Sequence, residues 1–334
     1  MCFELLPHGQ IFHLGESRAT DGRAFPLIAL SFGSQDPQAP TLLLNGGAHG
    51  LERIGSQVVL AFLTSFGEMI LWDRLLREAL KNIRIIFLPI LNPLGVLDRR
   101  RANPNGVDLM RNSPLDSHEA AFLLGGHRIS PRLPWYRGES AERLEPETQA
   151  LLNLMESHML EAPRLITMDF HSGFGVKDQI WFPWAGKKEP FPNLAEMYAL
   201  KEAFERTHPH HVYRIEPQSL NYLTQGDIWD HFYIKHRTLH EGRGVYLPLT
   251  MEMGSWAWVK KNPLQLMSVL GPYNPMKPHR LKRILRRHNT IFDFMVRAMV
   301  SPEVWIPAID EQRQKYHDRA ISEWYSQLEK GNAK

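Results

Sequence analysis

Four apolar runs, at 41–44, 83–91, 165–170 and 245–251, alternate with helical patterns and limit the possible folds more than anything else in the chain. Their apolar residues are mostly consecutive rather than alternate, the pattern of strands covered on both faces. Between and beyond them, 54–66, 71–80, 146–160 and 194–204 repeat their apolar positions at helical spacing. Strand and helix in alternation predict a three-layer α/β/α sandwich around a mixed, mostly parallel central sheet. No internal repeat or low-complexity linker interrupts the chain, so one domain is expected over residues 1–309. The charged stretch 310–334 reads as an appended C-terminal helix, and 112–143, rich in Pro, Gly and Ser, as a long surface excursion.

Open α/β sheets bind ligands beyond the carboxyl ends of their strands. Three segments place chemistry there: Asn45-Gly46-Gly47-Ala48-His49-Gly50-Leu51-Glu52, Asp169-Phe170-His171-Ser172 and Thr250-Met251-Glu252-Met253-Gly254. In order they supply His, Glu and a second His as metal ligands, with a further Glu as a base. Two nitrogens and one carboxylate, with a fourth position open to water, is what a catalytic zinc needs. A hydrolase carrying one zinc per chain is therefore expected.

Each piece has a plainer reading. His-x-x-Glu occurs three times, at His13/Glu16, His49/Glu52 and His158/Glu161. The last reads as an exposed pair at the end of a helix, and the first lacks a strand and a third ligand. Only His49/Glu52 follows an apolar strand and two glycines, which permit a tight turn and close backbone approach. Asp-x-His also recurs at Asp116/His118, so that pattern is not diagnostic. His208-Pro209-His210-His211 reads as a solvated loop. Glu252 weighs most, because a carboxylate inside Leu249-Thr250-Met251-Glu252-Met253 is costly to bury without compensation. A nearby cation, a proton held for catalysis or a structural salt bridge would each provide it.

Composition narrows the partners. The formal net charge is +3, and no run of about 18 apolar residues marks a membrane span. Neither nucleic acid nor membrane is expected as a partner, and nothing selects an oligomeric state. The basic stretch 279–288 spaces Leu281, Ile284 and Leu285 as one helix face, leaving its cations as a solvated outer face. It has none of the interleaved aromatics that a nucleic-acid groove wants. The start lacks a secretory pattern, and the single cysteine, Cys2, suits a reducing compartment, so a cytoplasmic protein is expected.

With these motifs in order, the sequence resembles the carboxypeptidase A-like zinc carboxypeptidases. A fourth segment, Arg101-Ala102-Asn103-Pro104-Asn105-Gly106-Val107-Asp108-Leu109-Met110-Arg111-Asn112, looks like that family's arginine followed by Gly-Val-Asp-x-Asn-Arg-Asn. The resemblance implies that His49, Glu52 and His171 hold zinc. It implies that Glu252 activates the zinc-bound water and passes its proton to the leaving amine. Arg101 would stabilise the oxyanion, Asp108 would fix the His49 tautomer, and Arg111 would bind the substrate's terminal carboxylate. Met110 stands where the family has a carboxylate-binding Asn, which weakens the implied clamp, and Leu51 stands where some members have an arginine. Tyr222, Tyr233 and Tyr246 are all candidates for the family's substrate-capping tyrosine, and none is assigned. The leading expectation is a metallocarboxypeptidase acting on a small peptide or other carboxylate-bearing amide. The alternatives are a zinc deacylase or amidase, acting on an acyl-amino acid or a peptidoglycan-type peptide, and a zinc-free module that binds peptide termini.

Overall fold

A computed structural model describes residues 9–326 except 118, 122 and 174. Cys2 and the N-terminal stretch, His118 and the end of the predicted C-terminal helix lie outside the described residues. Eight strands form one sheet: β1 (Gly9–Arg18), β2 (Ala24–Gly33), β3 (Thr41–Gly46), β4 (Arg84–Leu88), β5 (Arg164–Ser172), β6 (Gln179–Phe182), β7 (Arg214–Pro217) and β8 (Val245–Met253). Their order is β1-β2-β4-β3-β5-β8-β6-β7. The four central strands β4, β3, β5 and β8 run parallel, while β1 and β2 on one flank and the β8–β6 step on the other are antiparallel. All four predicted strands are these central ones, and β3 and β4 are buried at every position. β1 alternates in burial and β6 and β7 have four residues each, so the search for apolar runs missed them, and it passed over the apolar stretch 24–30 of β2.

The layers follow from strand alternation, since successive side chains point to opposite faces. On one face Phe170 of β5 meets Phe62 of α1 (Arg53–Trp72), with ring centroids 5.6 Å apart. Phe62 in turn stacks on Phe292 of the last long helix at 4.8 Å. On the other face lie α2 (Pro146–His158), then, beyond α3 (Leu194–Thr207), α4 (Ile228–Leu239). There Trp229 of α4 donates from Nε1 to Asp169 Oδ2 at 3.0 Å. The long helix on the first face is α5 (Pro278–Val300), amphipathic as read and extending well past the basic stretch. α6 (Asp310–Ala320) packs on α3 through the Arg313–Glu196 and Arg319–Glu202 ion pairs, and Trp324 beyond it is buried against Phe182.

Three expectations change. The 71–80 helix divides, because α1 runs to Trp72 and Asp73 caps a separate turn, Arg74–Ala79, by accepting from Leu76 N. His158 is not an exposed partner of Glu161; its ring stacks on Phe12 at 4.3 Å. The 112–143 excursion is no mere surface loop. Asn112, Ser113, His127 and Arg137 are buried, and the segment folds back against the sheet ends.

Candidate active site

The turn after β3 brings the first two candidates inward. Gly47 sits at φ +66°, a conformation that favours glycine, and a side chain there would strike Ser56. Asn92 pins the turn by donating to Ala48 O at 3.2 Å, and Leu91 N donates to Gly46 O at 3.0 Å. His49 and Glu52 then stand on the last residues before α1. His171 of β5 and Glu252 of β8 are register partners on neighbouring parallel strands, so their side chains leave the sheet on one face at its carboxyl end.

His49, Glu52 and His171 are each buried, and one ligand atom from each falls within 4.8 Å of the others. The two histidine Nδ1 atoms are 3.1 Å apart, and Glu52 lies 2.9 Å from His49 Nδ1 and 3.1 Å from His171 Nδ1. Each imidazole turns its other nitrogen toward a carboxylate. His49 Nε2 is 3.1 Å from Asp108 Oδ1, and His171 Nε2 is 2.9 Å from Asp169 Oδ2, at ion-pair distance though not aligned as a hydrogen bond. Those carboxylates favour the proton on Nε2 and leave both Nδ1 lone pairs aimed at one point beside Glu52. Converging lone pairs with an anionic oxygen suit a divalent cation, and the His/Glu/His set suits zinc.

The charges are arranged to support this. Burial disfavours a charged Glu52, yet His49 and His171 outweigh it and hold its carboxyl well below the usual range. Burial likewise opposes a charge on His171, but Asp169 and Glu52 raise its pKa well above the ordinary value. Asp108 is buried, and Arg101, Arg111 and His49 together hold it well below the usual range. Glu252 is the opposite case. Burial, and then the charge of Glu52, push it up to about 8. Among the described residues its Oε2 has no hydrogen-bond partner. A cation in the triad would oppose both effects and favour the carboxylate.

Asp108 ties the fourth segment to the triad. It accepts from Arg101 Nε at 3.0 Å and from Arg111 Nη1 at 2.7 Å while facing His49. Arg99 and Arg100 point into solvent, whereas Arg101 turns inward and donates to Glu52 Oε1 at 3.1 Å. Arg111 also donates to Gly125 O at 3.2 Å, and Arg137 donates to Arg111 O at 3.2 Å. The 112–143 segment therefore braces Arg111 and walls the cleft through Leu124, Gly125 and Trp135.

The cleft measures about 680 Å³ and is lined by all three triad residues, Arg101, Met110, Arg111 and Glu252. Of the three tyrosines, Tyr222 lines it, 5.6 Å from Trp181, and burial pushes its hydroxyl up to about 12. Tyr233 and Tyr246 are core residues instead, bonded to Asn193 and Thr167. Sequence reasoning passed over Asp169, which Asn45 and Trp229 hold against His171. Its signal was the two-residue spacing, which puts Asp169 and His171 on the same face of one strand.

This geometry places a candidate divalent-metal site at the carboxyl edge of an α/β sheet. The zinc carboxypeptidase family model matches residues 9–255, and the chain belongs to that family. Carboxypeptidase SOL1 of Arabidopsis thaliana is 23% identical over 265 residues, covering 75% of this chain and 47% of that protein. Carboxypeptidase E of Caenorhabditis elegans is 30% identical over 182 residues, covering 49% of this chain and 36% of that protein. The matches thus span less than half the length of these relatives. Among solved structures, carboxypeptidase A from Helicoverpa armigera superposes with a TM-score of 0.67 at 17% identity, covering 90% of this chain and 70% of that one. Thrombin activatable fibrinolysis inhibitor gives 0.64 at 20%, covering 90% and 71%. Those two likenesses show the shared fold.

Proposed function

We propose that this chain is a zinc-dependent metallocarboxypeptidase that releases C-terminal residues from small peptides, with the cytoplasm as its compartment. The observation that carries the reading is Glu252, a carboxylate with a buried, unpartnered oxygen, in one cleft with His49, Glu52, His171 and the paired arginines.

His49, Glu52 and His171 would hold the metal, which when bound polarises a carbonyl and acidifies water. Glu252 takes a proton from the attacking water and delivers it to the leaving amine. Arg101, braced by Asp108, faces the charge that develops on the carbonyl oxygen. Arg111 holds the terminal carboxylate, and its bonds to Asp108 and Gly125 fix the direction of its guanidinium. Asp108 and Asp169 orient the two imidazoles.

Met110 supports a second reading. It lines the cleft beside Arg111 and cannot donate the hydrogen bond that an amide there would supply. A deacylase or amidase that does not require a free terminal carboxylate fits that substitution. The two separate in one experiment: zinc-loaded protein incubated with a peptide library as free acids and as C-terminal amides, read by mass spectrometry. Release of single residues from the free acids alone is the expected result. Cleavage of both forms, or of neither, would replace the carboxypeptidase reading with the amidase or deacylase one.

A further inference from the structure

The residues just beyond Glu252 have a composition unlike the rest of the chain. Over the forty residues 253–292 there are eight Lys or Arg and no Asp or Glu, in a chain whose formal net charge is +3. The catalytic reading uses none of these cations.

Their placement is specific. The short helix Trp256–Lys261 and the first turn of α5 are bridged by Arg280, which donates to Trp258 O at 3.1 Å and Lys261 O at 3.2 Å. Between them lies a groove of about 390 Å³ with apolar lining from Val212, Trp258 and Ile284. Lys177, Lys261, Arg280, Arg283 and Arg287 surround it, and Asp178 is the acidic residue among its lining. Asp178 is already committed to Arg287 Nη1 at 2.7 Å and to Gly254 N at 3.0 Å. Among the described residues Lys177, Lys261 and Arg283 have no ion pair with a carboxylate, so the groove keeps a net positive charge.

Next to the cations the same segment exposes apolar side chains. Leu264 is 79% exposed, Met267 90% and Val269 65%, with Trp256, Leu266 and Met276 each above 40%. Leu264, Leu266, Met267 and Val269 project from a tight turn that Gln265 ties together by donating to Gly271 O at 2.6 Å. Protruding apolar tips beside a ring of cations match a surface that lies on a bilayer, where the tips enter the acyl boundary and the cations meet anionic headgroups. A rigid acidic protein would satisfy the cations but leave the protruding Leu264 and Met267 without a pocket.

We propose that the segment 256–287 is a peripheral docking surface for an anionic phospholipid bilayer, with the groove between Lys261 and Arg283 receiving a headgroup phosphate. This needs no spanning helix. Among the described residues the one helix long and apolar enough to cross a membrane, α1, is mostly buried in the core. Tyr273, which lines the catalytic cleft, belongs to this segment, so docking holds that rim of the cleft against the lipid.

The test is co-sedimentation of the full chain with phosphatidylcholine vesicles, with and without phosphatidylserine at three parts in ten. Sedimentation is expected with the anionic vesicles alone and should weaken as salt is raised. Each lost cation is expected to weaken binding by about fivefold, corresponding to about 1 kcal/mol per charge. The K261E/R283E variant loses two cations and should therefore bind at least about 25-fold more weakly. L264S/M267S should retain only weak, salt-sensitive binding. All four positions lie outside the proposed machinery, so turnover of a soluble peptide reports folding separately. Absence of binding to anionic vesicles, or equal binding by K261E/R283E, overturns the proposal. So does equal capture by soluble polyglutamate with L264S/M267S unimpaired, which would mark a surface for acidic protein. A dimer in light scattering that L264S/M267S abolishes would assign the patch to self-association instead.

Discussion

Glu252 is held by its surroundings in the protonated direction, and the catalytic role proposed for it needs a cation beside it. The amide of Glu252→Gln occupies the same space but cannot take a proton. The variant is expected to keep zinc in stoichiometric amount and to lose about 10²–10⁴-fold in kcat. Metal analysis alongside steady-state kinetics checks both parts, and a fully active variant would remove Glu252 from the mechanism. Asp230, in the first turn of α4, tests a second buried carboxyl. It accepts from the backbone N–H groups of Ala185 and Gly186, but burial and the neighbouring charge of Asp227 raise it to about 8, from 3.8 in an unstructured chain. The folded protein therefore binds that proton more tightly, and the stabilisation is lost as pH rises from the lower value through the upper one. Asp230→Asn stays neutral throughout, so its urea midpoint should fall less between pH 5 and pH 8 than that of the unaltered protein. Equal falls would discard this account of Asp230.

At the scale of elements, the site depends on how closely α1 approaches β5. Gly55, in the first turn of α1, has its missing side chain filled by Phe170: a Cβ there would lie 2.1 Å from Phe170 O. Gly55→Ala must push the helix away from the strand, and Glu52 sits at the end of that helix. A loss of about 1–3 kcal/mol in urea unfolding is expected, together with weaker zinc retention against a chelator. Unchanged stability would mean that the helix can slide without disturbing its neighbours. The same packing explains the strand pair behind the chemistry. β5 and β8 are parallel neighbours in register, so His171 and Glu252 leave the sheet side by side without help from any loop.

For the molecule as a whole, the metal is expected to be a folding ligand. The triad gathers two imidazoles and a carboxylate in a buried place, and a cation compensates for their desolvation only in the folded state. Any ligand that binds the folded chain alone stabilises it, by about 2.7 kcal/mol at a free concentration 100 times its Kd. Calorimetry should therefore show a midpoint several degrees higher with zinc than after chelation. A midpoint indifferent to zinc would argue against a metal at His49, Glu52 and His171.

The sequence alone determined the parallel core of the sheet, because strands buried on both faces must be apolar at nearly every position and that pattern is local. It also pointed to three of the site segments, since His49, His171 and Glu252 each stand at or just past the end of an apolar strand, while the fourth, 101–112, was legible only through the family resemblance. Strands β1, β6 and β7 were not readable in this way: they are edge or short strands, and long-range pairing defines them more than their own composition does, whereas β2 carries a readable apolar stretch at 24–30 that was passed over. Only the tertiary structure separated Tyr222, which lines the cleft, from Tyr233 and Tyr246, which do not, and brought Asp169 into the site. Only it turned the 112–143 segment into a wall that braces Arg111. Each of these depends on contacts between residues far apart in the chain, such as Arg111 with Gly125 and Arg137, or Trp229 with Asp169. Such contacts exist once strand order and helix packing have brought the segments together, and no local pattern encodes them.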